Sequence, residues 1–547
     1  MKKNWKTQQL FIVFLSLFIV SSTISTGLDI PLASSKSDAV QSLEDDTGID
    51  VNYVYNITEA LSNIIFTVYD EGEIAKGRAF GTKGEWKAAE ILFENMTDLG
   101  LYTTCEPLGK RPGEPEDAIV TKLEVLDYDI CINDQPVDCF PAPSWKGYKN
   151  DVDSLDTTFD VDNLTFIPVP TYPLLYNRAL AQKEEPFVFI GRDQWNDPNA
   201  SLPLYNLVKP VVDPLKSYMV FHVSSLFSIH RQTRFWSNWY PNCKGLVLYD
   251  FNQDCHDMIY FAPPFDNQLP TIFINGSLGE AIVNDIDNYE MDLYLKQRYN
   301  DSVVSYNVIG QLNGTDPSKI VIVSALYDSW WCQGTADSAI GMGIVIAIAK
   351  YFKDHDITPT YTIRFIGFSG EEYDLRGAYY YEAMHRDDDI VTVIDLNQLG
   401  FTQTNPRLTL DIVANHPLFL YTMRTIAEQT NYGERTGDTA DLRTILWLSG
   451  VIPGNAGAFS LNRRRCNSVT FFKDGGWILH HRDGVNHTEG DVLKYFNWTD
   501  TQVTGELILN ITKYYTMEHE YILGNRLSSF DEYGWFCLFP FMKYLLR

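Results

Sequence analysis

The chain has 547 residues, 45% apolar and 14% aromatic, enough for two or three domains with a sizeable core, which excludes a disordered polypeptide. Its 71 acidic and 43 basic residues give a net charge of −28, so nucleic acid and anionic membrane surfaces would repel it. The bland reading of that balance is an acidic, well-solvated surface.

Lys2, Lys3 and Lys6 precede an apolar run from Leu10 to Val20 that gives way to Ser and Thr. Such a run is short for a bilayer span and suits the hydrophobic centre of a secretory signal. The expectation is a secreted or cell-surface protein. Residues 1–27 are then a signal peptide or an N-terminal anchor, which would be the chain's only tie to a membrane, and the Ser- and Asp-rich residues 28–47 are a linker. The sequons at Asn56, Asn95, Asn163, Asn199, Asn275, Asn300, Asn313, Asn486, Asn497 and Asn510 fit a glycosylating compartment. The 8 cysteines fit an oxidising one. Proximity suggests Cys131 with Cys139 and Cys243 with Cys255, although spacing does not determine connectivity.

Residues 48–112 carry helical periodicity from Ile57 and then a turn at Arg78, an amphipathic helix and a stop at Gly100. From 113 to 300 Pro and aromatic residues are frequent and the strands look short. Gly245–Asp250 and Leu269–Ile274 read as strands and Ser277–Asn288 as a short helix, so this region is taken as an inserted, mostly β domain. Strands and helices alternate again over 301–547: strands at Val391–Leu396, Leu408–Val413 and Ser468–Phe472, helices at Leu418–Thr430 and Thr501–Glu518. The fold class expected is α/β, a mixed sheet flanked by helices.

The stretch from Ile320 to Glu372 holds the chemistry. A β-branched run, Ile320–Val323, leads to a polar, aromatic loop from Tyr327 to Gly334. A helix over Ala339–Phe352 follows, with Asp337 or Ser338 able to cap it, and a strand over Tyr361–Phe368 ends in Gly370-Glu371-Glu372. In an open α/β sheet strand ends meet helix starts in one crevice, so Asp337, Glu371 and Glu372 should approach one another. Carboxylates so placed need protons or a metal. One Glu could bind the metal while the other takes a proton from water. The loop with His480, His481 and His487 could add a softer ligand favouring zinc. Taken singly, a Glu-Glu pair is more often a solvated turn and a loop His a surface residue. Trp330 and Trp331 are candidates to line a substrate pocket, and Arg465 to hold a substrate carboxylate. A Gly-rich phosphate loop and a G-x-S-x-G elbow are both missing from the sequence.

The joint pattern is specific. Arg78…Gly81-Thr82…Leu99-Gly100-Leu101, Tyr327-Asp328-Ser329, Ala336-Asp337-Ser338-Ala339, Gly370-Glu371-Glu372…Arg376-Gly377-Ala378 and His487-Thr488-x-x-Asp491 occur in this order. It resembles metallopeptidase family twenty-eight, which includes aminopeptidases, glutamate carboxypeptidase and the transferrin receptor. Residues 113–300 resemble the protease-associated domain inserted in many members. The resemblance implies Asp337, Glu372 and His487 as zinc ligands and Glu371 as general base. Where the family completes a second metal site with His and Asp, this chain has Tyr327 and Asn397, so one zinc ion is expected rather than two. The implied activity is that of an exopeptidase, most like an aminopeptidase, acting on peptide or protein substrates. A single-zinc, glutaminyl-cyclase-like acyltransferase and a non-catalytic receptor on the peptidase fold are the alternatives.

Overall fold

In the computed structural model the described residues are 48–64, 68–70, 73–109, 122–142, 156–168, 217–222, 245–249, 271–285, 288–300, 303–329, 331–373, 375–400, 410–435, 443–446, 452, 454–462, 466–473 and 490–517. The N-terminal run, the linker, His480, His481, His487, Trp330, Arg465, Cys243 and Cys255 lie outside them.

The central element is an eight-stranded mixed sheet. In chain order its strands are β1 (Tyr102–Pro107), β2 (Tyr306–Leu312), β3 (Asp316–Leu326), β4 (Tyr361–Phe368), β5 (Asp389–Leu396), β6 (Asp411–Ala414), β7 (Arg443–Leu446) and β8 (Asn467–Phe472). Their spatial order is β7-β6-β8-β5-β3-β4-β2-β1. β3 runs parallel to both β4 and β5, and β5 parallel to β8, so the carboxyl ends of these four strands open on one edge. Pairing of Leu326 with Phe368 and Ala325 with Leu396 brings the loops after β3, β4 and β5 side by side. That register assembles the site.

Helices cover both faces: α1 (Val51–Ser62), α2 (Lys83–Asp98), α3 (Ile340–Asp354), α4 (Arg376–Met384), α5 (Pro417–Gln429), α6 (Ala456–Asn462) and α7 (Trp498–Met517). Alternation along β3 divides the core. Val321, Val323, Ala325 and Tyr327 face α1, α2 and α3, while Ile320 and Ile322 face α4 and α6. α3 is apolar nearly all round and is enclosed accordingly, with Ile344, Val345, Ile346 and Ile348 at 0% exposure. Each such side chain contributes about 1.5–3 kcal/mol through burial. The stretch Thr335–Asp354 is long and apolar enough to cross a membrane, but it is 94% buried and serves as the core helix.

The start of α3 differs from expectation. Its N-cap residue is Ala339, and no side chain caps it. Thr335–Ala339 forms a wide turn before the helix, with extended backbone at Asp337. Asp337 and Ser338 do not cap because their side chains are engaged across the crevice: Asp337 Oδ2 accepts from Gln398 and Ser338 Oγ donates to the Leu396 carbonyl.

Residues 122–300 contribute a second eight-stranded mixed sheet, including Lys122–Ile132, Asp156–Pro168 and Glu290–Asn300, together with the helix Gly276–Asn284. Cys131 and Cys139 are free thiols and not the pair that proximity suggested. Cys131 sits opposite Pro136 on one strand pair, and Cys139 is buried opposite Ile274 on another.

Candidate active site

The polypeptide leaves β4 through Ser369 and turns at Gly370, whose φ of +61° and lack of a Cβ are both required, since a Cβ would sit 2.8 Å from the Phe80 ring. Glu371 and Glu372 therefore lie in the turn before α4, beyond the strand itself. The amides of Tyr373 and Arg376 donate to the Gly370 carbonyl, closing that turn.

One buried carboxylate fixes both glutamates. Asp328, two residues past the end of β3, accepts from the Glu371 amide at 3.1 Å and from the Glu372 amide at 3.4 Å. Burial pushes the Asp328 carboxyl well above the ordinary range, and Glu85 and Glu372 push it further, while the two amide donors act against them. Nothing in the spacing of residues flagged Asp328, whose partners are 43 and 44 positions away.

The next loop supplies amide side chains. Asn397 Nδ2 donates to Glu371 Oε1 at 3.0 Å, and Gln398 Nε2 donates to Asp337 Oδ2 at 3.1 Å. Consecutive residues after β5 thus bind carboxylates from the segments that follow β3 and β4, which lie side by side in the sheet. Glu371 is raised well above the usual carboxylate range by burial, and its neighbours Glu372, Asp337, Asp328 and Asp395 all push the same way. Asp337 is 3% exposed, and its backbone amide donates to Asp491 Oδ2 at 3.1 Å.

Glu372 and Asp337, both expected in the crevice, lie near enough to Glu371 to raise its proton affinity. The Tyr327 side chain lies elsewhere. The Tyr327 hydroxyl donates to the Tyr306 carbonyl at 2.5 Å, and its ring lies in the core cluster with Leu92 and Met342. The strand alternation that turns Asp328 toward the glutamates turns Tyr327 into the core, so its side chain does not stand where a lost ligand was expected. The Asp395 carboxylate is held by other partners: Oδ1 accepts from Ser324 Oγ at 2.9 Å and Oδ2 from the Asn455 amide at 2.8 Å. Trp331 is 6% exposed, too enclosed to offer a broad pocket wall.

Among the described residues no three His, Cys, Asp or Glu side chains converge as a metal-binding group. Asp337 and Glu372 fit a divalent cation in charge, each with a buried carboxylate oxygen that makes no hydrogen bond to another described residue, and a zinc site is completed only by a further ligand, the part expected of His487. Clustered buried acids are the chemistry such an ion neutralises.

A mixed sheet with an acid-lined crevice at the carboxyl ends of its parallel strands defines a zinc-exopeptidase-like α/β protein. Residues 307–512 match the model of peptidase family M28. The fold is that of a zinc aminopeptidase from Bacillus subtilis, with a TM-score of 0.59 at 14% identity over 87% of this chain and 97% of that one. A peptidase M28 precursor from Shewanella amazonensis gives 0.59 at 15% identity over 88% and 96%. Among curated proteins, carboxypeptidase Q of Xenopus laevis is 34% identical over 94 residues, 17% of this chain. A protein of Schizosaccharomyces pombe described as an inactive zinc metalloprotease is 24% identical over 198 residues, 33% of this chain. These matches span 24% of the fission-yeast protein and 20% of the frog one.

Proposed function

We propose that the protein is an exported, zinc-dependent exopeptidase of aminopeptidase type acting on peptide or protein substrates. The observation that carries this reading is the placing of Glu372 and Asp337 near Glu371, with both glutamate amides fixed by Asp328. Asp337, Glu372 and His487 would hold one zinc ion. When bound, the ion supplies Lewis-acid polarisation of the scissile carbonyl and makes water more acidic. Glu371 takes the proton of the attacking water and passes it to the leaving amine. Burial and its acidic neighbours raise its proton affinity above the usual carboxylate range, and the Asn397 amide holds Oε1 in place. Residues 113–300 act as a protease-associated-like insertion beside this domain.

Asn397 also favours a second reading. An amide donor on Glu371 stands where the family has an anionic ligand, which supports a single-ion site and, with it, glutaminyl-cyclase-like acyl transfer. A non-catalytic receptor is the third reading, supported by the relative described as inactive.

The test is zinc per purified chain, followed by assays on aminoacyl anilides, peptides with N-terminal Gln and peptides with C-terminal Glu, each with Glu371→Gln as control. One zinc and Glu371-dependent anilide cleavage is the expected result. Turnover of N-terminal Gln alone selects the acyltransferase. One zinc without turnover of any substrate leaves the receptor, and two zinc ions overturn the ligand reading.

A further inference from the structure

Arg78 is fully buried in the turn before α2. Its guanidinium is spread over four backbone carbonyls: Nε donates to Tyr327 at 2.8 Å, Nη1 to Leu61 at 3.1 Å and to Gln333 at 2.5 Å, and Nη2 to Gly334 at 2.9 Å. Its backbone joins the same loop, with the Ser329 amide donating to the Arg78 carbonyl and the Arg78 amide to Ser329 Oγ, each at 3.1 Å. Asp491, 0% exposed, holds the next part of the loop by its opposite groups. Oδ1 accepts from the Ala336 amide at 2.7 Å and Oδ2 from the Asp337 amide at 3.1 Å.

The Arg78 guanidinium therefore grips the carbonyls of residues 333 and 334, and the Asp491 carboxyl group grips the amides of residues 336 and 337. Hydrogen bonds from a charged guanidinium are stronger than neutral ones. A third tether runs alongside: Gln333 Oε1 accepts from the Leu493 amide at 2.8 Å. The loop has no slack, since a Cβ on Gly334, whose φ is +55°, would lie 2.7 Å from the Asp337 carbonyl and 2.9 Å from Arg78 Nη2. What the clamp fixes is the backbone of Asp337, and Asp491 follows the segment that carries His487 by four positions.

We propose that Arg78 and Asp491 are positioning residues that together preorganise Asp337 for metal binding, touching neither metal nor substrate. The inference rests on the reading of Asp337 as a zinc ligand. Groups behind a ligand set its orientation, and their loss typically lowers metal affinity about 10- to 100-fold.

The test uses the full-length chain and its Asp491→Asn, Arg78→Lys and Asp337→Asn variants. Zinc dissociation constants come from competition with a chromophoric chelator, and thermal midpoints from the metal-free proteins. Asp491→Asn keeps one acceptor and turns an amide donor toward the other backbone N–H. It is expected to weaken zinc binding about 10- to 100-fold. Arg78→Lys, which cannot span four carbonyls, should do the same, and the double variant should lose less than the product of the two because both act on one loop. A merely structural role would lower the metal-free midpoint and leave the zinc constant of the folded protein unchanged. Zinc binding by Asp491→Asn within twofold of wild type, with binding abolished in Asp337→Asn, overturns the clamp and keeps the site. Undiminished binding in Asp337→Asn instead overturns the ligand reading beneath it. If Asp491→Asn does not fold, Gln333→Met removes one tether from a half-buried position. A loss of about threefold or more supports the clamp, and no loss overturns it.

Discussion

Asp395 lies at 0% exposure near the end of β5. Burial pushes its carboxyl up to about 7, against hydrogen bonds from Ser324 and from the side chain and backbone of Asn455. In the unfolded chain the same group ionises near 3.9. Between those values the folded protein holds a proton that the unfolded chain releases. Stability from this group is therefore greatest below about pH 4, declines as pH rises toward 7 and is level above it. About three pH units at 1.36 kcal/mol each make the full effect on the order of 4 kcal/mol.

Asp395→Asn removes that titration. The amide keeps an oxygen for one donor but presents Nδ2 to another, at a cost of about 1–2 kcal/mol at low pH. At pH 8 the variant no longer carries a buried anion, so it should equal or exceed wild type. Urea unfolding of both proteins at pH 5 and pH 8, with unchanged m-values, reads the difference. The gap between variant and wild type should move by about 3 kcal/mol in favour of the variant between those two conditions. Parallel pH dependences for the two proteins would refute the assignment of a buried, proton-holding Asp395.

Tyr327→Phe should cost about 1 kcal/mol in urea unfolding, from the hydroxyl bond to Tyr306, while zinc content and turnover stay at wild-type values. A change in zinc content would return Tyr327 to the metal site. Arg78→Ala leaves four buried carbonyls without their donor at about 1–3 kcal/mol each, so a loss of at least about 4 kcal/mol is expected by chemical denaturation. That is a large share of a typical domain stability of about 5–15 kcal/mol, and soluble yield should fall with it. Asn397→Asp sets an acid against Glu371 in place of a donor 3.0 Å away. Metal-free protein should lose about 1–3 kcal/mol at pH 8 and less at pH 5, measured by urea midpoints, and equal losses at both values would argue against a direct contact with Glu371.

Much of the sheet was legible because its strands are β-branched runs bounded by turn residues: the strand expected at Tyr361–Phe368 has those bounds, and the run at Ile320–Val323 lies inside β3. The helices expected at Leu418–Thr430 and Thr501–Glu518 are observed at Pro417–Gln429 and Trp498–Met517. Carboxylates at strand ends were legible for the same reason, since periodicity locates the ends and topology gathers them. Hydrogen-bond partners were not. Asp328 meets Glu371 and Glu372, and Asp491 meets Asp337, across more than 40 and more than 150 positions respectively, and no local pattern encodes such contacts. Side-chain direction was not legible either: the pleat turns Tyr327 into the core and Asp328 toward the glutamate turn.

With Tyr327 in the core, Asp328 becomes the residue that links the end of β3 to the Glu371–Glu372 turn, and Asn397 and Gln398 become the donors that separate Glu371 from Asp337. The two amide side chains temper carboxylate repulsion by hydrogen bonds without adding positive charge, while Asp328 adds to it. Burial and mutual repulsion still hold Asp328 and Glu371 well above the ordinary carboxylate range, so the neutral donors do not complete the compensation. A single divalent cation between Asp337 and Glu372 would complete it. A second cation on the Glu371 side would compete with the Asn397 amide that already occupies Oε1. The one-ion reading proposed above rests on that donor, and zinc per purified chain tests it.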